Sequence, residues 1–401
     1  MAPPSFPPSV EIPDYSGENG EHVPGLVVVF TGGAPSARVL TLASGPIDLG
    51  RSNPSTATLD DGRVSRRHVR IAFEAGRWLV TDLGSQNGTS VDGALIAAHT
   101  PTPAQRVIRV GDSLLVPCAD VRPIECAGVR RVDGFVRGPA MQSVLEQAAH
   151  AARSGTTLHM VAESGAGKEG VAQAFHRAGT RGARAFVSVH CATLPHETAE
   201  CLLFGTSRGA HTGSKVDAIG YLQEADGGTL LLDEIAELDL QVQAKLLRVL
   251  ESKELLPLGG SKPRKVDFAL CSASNKDLRA FVTAGTLRED LYFHIGRPAV
   301  TLPALRNRPE EIPALITHEL ATLLPVPMAH VSLVEQCLLR PWPGNVRELL
   351  AEIRTAAQAA LLDSRGYRVA AHHLRSTAGS MSGSAAPAAQ STPPDDHDLS
   401  S

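Results

Sequence analysis

The stretch that most restricts the fold of this chain is "TLHMVAESGAGKEGVAQAFHRA", residues 157–178. An apolar strand runs into a glycine loop, and the loop opens directly onto a helix. Glu163, Ser164, Gly165, Ala166, Gly167, Lys168 and Glu169 then sit where backbone N–H groups at a helix N-terminus meet phosphate oxygens. A glycine loop between strand and helix can also be a plain turn. The second stretch that bears on the choice is "GGTLLLDEI", Gly227–Ile235, an apolar strand that ends on two acids. Two acids at a strand end can be a solvated cap, but paired with Lys168 they form a nucleotide site. Asp233 would position Mg²⁺ and Glu234 would polarise an attacking water.

The alternation of strands and helices from about residue 134 to 303 predicts an α/β domain with a mostly parallel sheet. Residues 304–375 read as helical, broken at "PWPGN" where prolines interrupt the pattern. Residues 25–126 have a different texture. Short β-like runs such as "GLVVVFTGG", "VRIAF" and "RWLVTDL" alternate with turns and predict an all-β sandwich. The first 24 residues read as a flexible arm, rich in Pro, Ser and Gly. Residues 376–401 are too poor in apolar side chains to build a core and read as a disordered tail.

Within the β region lie "LGRS" (Leu49–Ser52), "SRRH" (Ser65–His68) and "SQNGTSVDG" (Ser85–Gly93). Each alone is ordinary turn chemistry, Asn87–Gly88 being a hairpin signal in itself. In this order the three resemble the forkhead-associated (FHA) domain. Such a domain implies recognition of phosphothreonine, whose near-double charge and three acceptor oxygens suit an arginine and a hydroxyl on loops. The resemblance implies that Arg51 and Ser65 hold the phosphate, that Asn87 bonds the ligand backbone and that His68 braces the loops. Arg66 or Arg67 would add charge beside the peptide.

In the α/β region "ESGAGKE", "GAHTGS", "GGTLLLDEI", "QAKLLRVLE", "SASNKDL", "LREDLYFHI", "LPALRNRPEEIP" and "PWPGNVREL" follow one another. Over roughly residues 134–362 this succession resembles the central AAA+ domain of sigma-54-dependent transcription activators. The resemblance implies ATP and Mg²⁺ as cofactors and a homo-oligomeric ring. It implies that Asn275 senses the γ-phosphate, that Arg347 reaches the nucleotide from a helical lid and that Arg288 serves a neighbouring subunit. Gly209, Ala210, His211, Thr212, Gly213 and Ser214 would form the loop that presses on sigma-54.

This chain departs from the family pattern at four places. Ala162 stands for Gly, His190 for the Asn beside the catalytic acid, and His294 for a second arginine finger. His211 stands for the Phe at the loop tip, where an apolar ring would insert into the partner. Histidine, with a pKa of about 6.5, cannot make a guanidinium's planar two-pronged contact. An arginine finger contributes about 10³–10⁵ in rate, so the departures at the nucleotide site bear on hydrolysis rather than nucleotide binding, and His211 bears on the partner contact.

Two readings result. The first is an ATP-binding regulator that acts on the sigma-54 RNA polymerase holoenzyme. Its FHA domain would recruit a phosphothreonine protein made by a Ser/Thr kinase pathway. The second is a nucleotide-binding FHA adaptor whose degenerate ring no longer remodels sigma-54. The net charge of −4 gives no global attraction to nucleic acid. No apolar, periodic helix-turn-helix follows Leu374, so site-specific DNA binding is not expected. With no signal sequence, no apolar run near the roughly 20 residues needed to cross a bilayer, and six scattered cysteines without a C-x-x-C pair, the expected location is cytoplasmic, off the membrane.

Overall fold

The computed structural model describes residues 22–52, 57–132, 134–208, 217–363 and 368–380. The chain divides into two compact units. One comprises Met1–Gly128 with His330–Leu339, and the other Val129–Ala329 with Arg340–Ser401.

The first unit is a two-sheet β structure. One six-stranded sheet includes Gly25–Thr31, the antiparallel partner of both Ala34–Thr41 and Ser113–Cys118. The other, five-stranded, is centred on Val69–Glu74 between Ile47–Gly50 and Arg77–Asp82. Leu26, Val28, Leu49, Val69, Ile71, Val80, Ile108 and Leu115 fill the core between the sheets. The alternating apolar positions of the sequence supply these inward-facing residues. The helix Val331–Leu339, expected within the lid, groups with this unit, where Arg109 Nη1 donates to Glu335 Oε2 at 3.0 Å.

The second unit is built on a five-stranded parallel sheet. Its order is Phe186–His190, Thr229–Asp233, Ala269–Ser274, Leu158–Val161 and Ala299–Thr301. Leu230, Leu231 and Leu232 are all buried, because helices cover both faces of such a sheet. The helix Pro139–Arg153 starts on a proline and turns Met141, Val144, Leu145 and Ala148 inward, an i, i+3, i+4, i+7 stripe. The helix Lys168–Ala178 packs beside it through Val171, Ala172 and Phe175. Helices Ile312–Leu323 and Asn345–Leu362 form the rest of the lid. Past the lid, residues 376–380 make a bonded turn, with Ala378 and Gly379 buried, where composition alone suggested unstructured chain. No described helix is long and apolar enough to cross a membrane.

A buried polar cluster joins lid to sheet domain. Arg308 Nη1 bonds Glu311 Oε2 at 2.5 Å, and Arg308 Nη2 bonds the Ala166 carbonyl at 2.8 Å. Glu311 Oε1 in turn accepts the Gly138 N–H at 2.6 Å. Beside them, burial and then the Glu311 carboxylate push Glu310 up to about 8, against the pull of Arg308. Folded Glu310 therefore keeps a proton that the unfolded chain releases near 4.5. Between those values the folded state binds more protons, so this group's contribution to stability falls as pH rises. Glu310→Gln should melt higher than the parent at about pH 8, with the gap closing toward about pH 5. Thermal unfolding of both chains across that range checks it, and parallel curves would count against a buried acid here.

Candidate functional site

The phosphate cradle begins where the strand Leu158–Val161 ends, with Ala162 N–H bonded to the Ser274 carbonyl at 3.0 Å. Gly165 lies at φ +74°, and a Cβ there would come within 2.2 Å of the Gly344 carbonyl oxygen. No side chain fits, so the loop can approach the lid closely. Gly167 caps the helix that carries Lys168, and Glu169 is exposed in its first turn, where the helix dipole favours a carboxylate.

Lys168 is almost fully buried and meets both acids of the neighbouring strand end. Its Nζ lies 2.7 Å from Asp233 Oδ1 and 2.6 Å from Glu234 Oε1. Glu234 Oε2 accepts the Asn275 backbone N–H at 3.1 Å. One carboxylate thus touches the lysine and the end of the next strand. Glu234 itself has φ +54°, left-handed backbone uncommon for a non-glycine residue. From the lid, Arg347 Nη1 reaches Ser164 Oγ at 3.2 Å. Lys168, Asp233, Glu234, Asn275, Ser164 and Arg347, far apart in sequence, therefore converge.

The Glu163 side chain turns toward the lid. Arg306 holds it through two bonds, 2.8 and 2.5 Å long, and Asn345 Nδ2 adds a third at 3.1 Å. The Arg306 hydrogen bonds keep its carboxyl below the usual range, outweighing burial. Asn345 also bonds the Ser164 carbonyl and the Leu305 N–H. Sequence reasoning missed Arg306, Arg308 and Asn345. Their signal lay in "LRNR" and in the asparagine closing "PWPGN", which served there only as a helix boundary.

The histidines at departing positions have specific neighbours. His190 is the register partner of Asp233, its Nδ1 3.8 Å from Asp233 Oδ2. His294 Nε2 lies 3.1 Å from Glu251 Oε1. Arg288 makes a two-pronged pair with Asp290 at 3.0 and 2.6 Å, which holds the Asp290 carboxyl below its ordinary value. The loop Gly209–Ser214 lies outside the described residues.

On the first unit, the three signatures come together at one end of the sandwich. Arg51 is exposed, its N–H bonded to the Ser65 carbonyl at 3.0 Å and its Nη1 to the Gly62 carbonyl at 3.2 Å. Ser65 Oγ accepts the Gln86 N–H at 3.1 Å. Asn87 Nδ2 donates to the Arg63 carbonyl at 2.7 Å, tying two loops. Beneath them His68 is fully buried. Its Nδ1 accepts the Ser65 N–H at 3.0 Å, so Nε2 carries the proton and donates to the Gly88 carbonyl at 3.1 Å. Of the two arginines that could add charge, Arg67 is engaged by Asp48 at 3.1 Å, while Arg66 is exposed.

Asp82, which sequence reasoning overlooked, organises the third signature. Burial would raise its carboxyl, but the hydroxyls of Ser85 and Thr89 and the N–H groups of Ser85 and Gly84 hold it below the ordinary value. The four bonds measure 2.6–2.9 Å. An acid three residues ahead of Ser85 was the available clue.

The family model for the Sigma-54 interaction domain matches residues 135–301, and that for the FHA domain matches residues 47–114. The transcriptional regulatory protein FlbD of Caulobacter vibrioides is 39% identical over 60% of this chain and 53% of its own length. The hydrogenase transcriptional regulatory protein HoxA of Bradyrhizobium diazoefficiens is 43% identical over 54% of this chain and 46% of its own. The chain thus spans about half the length of the curated relatives it matches. A crystal structure of NtrX from Brucella abortus in complex with ATP is 31% identical, with a TM-score of 0.54 over 60% of this chain and 53% of NtrX. This chain thus joins an FHA domain to a Sigma-54 interaction domain of AAA+ fold.

Proposed function

We propose that this chain is an ATP-binding regulator of sigma-54-dependent transcription, controlled through phosphothreonine recognition by its FHA domain. The observation that carries the nucleotide half is the buried lysine between two acids, with a lid arginine on the same loop. On nucleotide binding Lys168 would turn its ammonium to the β- and γ-phosphates, and Asp233 would be free to hold the metal. The carboxylate oxygens of Asp233 and Glu234 are hard donors that suit Mg²⁺, which would supply positive charge against the phosphates. Glu234, released from Lys168, orients a water in line with the γ-phosphate, and Asn275 sits at the strand end beside it. The loop N–H groups and Arg347 hold the triphosphate in place. The ATP complex of NtrX supports the same use of this fold.

Arg288 would serve a neighbour's nucleotide in a homo-oligomeric ring, after leaving Asp290. His294 offers no permanent charge beside it. That feature, with His190 next to Asp233, favours slow turnover and supports the second reading: an adaptor that binds ATP and phosphothreonine without remodelling sigma-54. The partners follow from the domains, a phosphothreonine protein for Arg51, Ser65, Arg66 and Asn87, and the sigma-54 holoenzyme for the loop Gly209–Ser214.

Three measurements test these assignments. Arg51→Ala should weaken binding of a phosphothreonine peptide at least tenfold, since charge-assisted bonds are worth about 1.5–3 kcal/mol each. Equal affinity of the parent for phosphorylated and plain peptide in fluorescence polarisation would refute it. For ATP, Lys168→Ala should abolish binding, whereas Glu234→Gln should bind and not turn over; calorimetry with a phosphate-release assay separates the two. Finally, His294→Arg should raise turnover per subunit at concentrations where the ring forms. Turnover in the parent, rising with protein concentration, supports the first reading; tight binding without turnover supports the adaptor.

A further inference from the structure

Residues 375–380 bind the lid beside the nucleotide loop. The Arg340 guanidinium donates from Nη1 to the carbonyls of Arg375 and Ala378, both at 2.8 Å. Trp342 N–H donates to the Gly379 carbonyl at 3.2 Å. Gly379 N–H donates to Glu348 Oε1 at 3.0 Å, and the other oxygen of Glu348 accepts the Gly344 N–H at 2.7 Å. Arg375 Nε bonds Glu352 at 2.9 Å, one turn further along the same helix.

These bonds converge on a strained turn. Trp342 has φ +49° and Asn345 φ +52°, two left-handed non-glycine residues within four positions. Such conformations persist only where surrounding contacts over-determine them. Trp342 is fully buried, and Gly379 lies against its ring at φ +65°, where a Cβ would come within 2.8 Å of the indole. The turn held in this way presents Asn345 to Glu163 and Ser164, and two residues later Arg347 to Ser164.

We propose that residues 375–380 are a strap that positions Arg347 over the phosphate loop, with Glu348 as its clasp. Glu348 is a positioning residue: one oxygen holds the turn and the other holds the strap. The inference rests on the reading of this loop as an ATP site. A plain cap would bond the free end of the final helix. The strap bonds that helix's first two turns, where the nucleotide-facing side chains begin.

The test is titration of a fluorescent ATP analogue into the full chain, into a chain ending at Leu374, and into Gly379→Ala, Glu348→Gln, Arg347→Ala and the Arg347→Ala/Glu348→Gln pair. Each is measured well below its melting temperature. Glu348→Gln keeps the volume and loses one of two acceptors, so it reports even where the shortened chain folds poorly. The strap variants should bind about three- to tenfold more weakly, and Glu348→Gln should cost nothing further once Arg347 is gone, as expected when one residue acts through the other. Unchanged affinity in the strap variants, or losses that add fully in the double variant, would overturn the strap. A parent chain that binds no analogue overturns the ATP reading itself, and the strap with it.

Discussion

The ammonium of Lys168, buried between Asp233 and Glu234, is the contact around which the second unit is arranged. Leaving any of these charges buried and unmatched would be strongly unfavourable. The lysine opens a helix that follows the strand Leu158–Val161, while the acids end Thr229–Asp233, two places across the sheet. The pairing therefore spans the strand between them and fixes how the loop stands above the sheet. The lid is tied to the same loop by a second polar set, in which Arg306 and Asn345 share Glu163 and Arg308 holds the Ala166 carbonyl. Neither set depends on apolar packing.

The first unit follows a related plan with different chemistry. The loops that carry its three signatures are held from below by His68 and Asp82, each bonded mainly to backbone and hydroxyl groups. Arg51 and Arg66 are exposed at the rim. Charge stays where a phosphate could reach it, and the interior satisfies its polar atoms locally.

What was legible in the sequence follows from the range of the interactions. The phosphate loop, the acidic strand end and the three β signatures are each local, since glycines, a lysine at a helix start or an Asn–Gly turn act within a few residues. The parallel sheet was legible from alternating textures. The partners of Glu163 were not, because Arg306 and Asn345 lie 143 and 182 residues away. The turn at residues 376–380 escaped notice for a different reason. It is held mainly by its backbone groups bonded to side chains of the lid, with Ala378 as its one buried apolar side chain.

Glu234 carries its carboxylate on left-handed backbone, one residue past the strand Thr229–Asp233. A glycine there would relieve the backbone but would leave the buried Lys168 ammonium with Asp233 as its remaining acid partner. Backbone relaxation and charge pairing therefore pull in opposite directions at this position. A library of variants sorted only for heat resistance would keep an acid here, retained by the lysine it pairs with and not by the backbone that carries it.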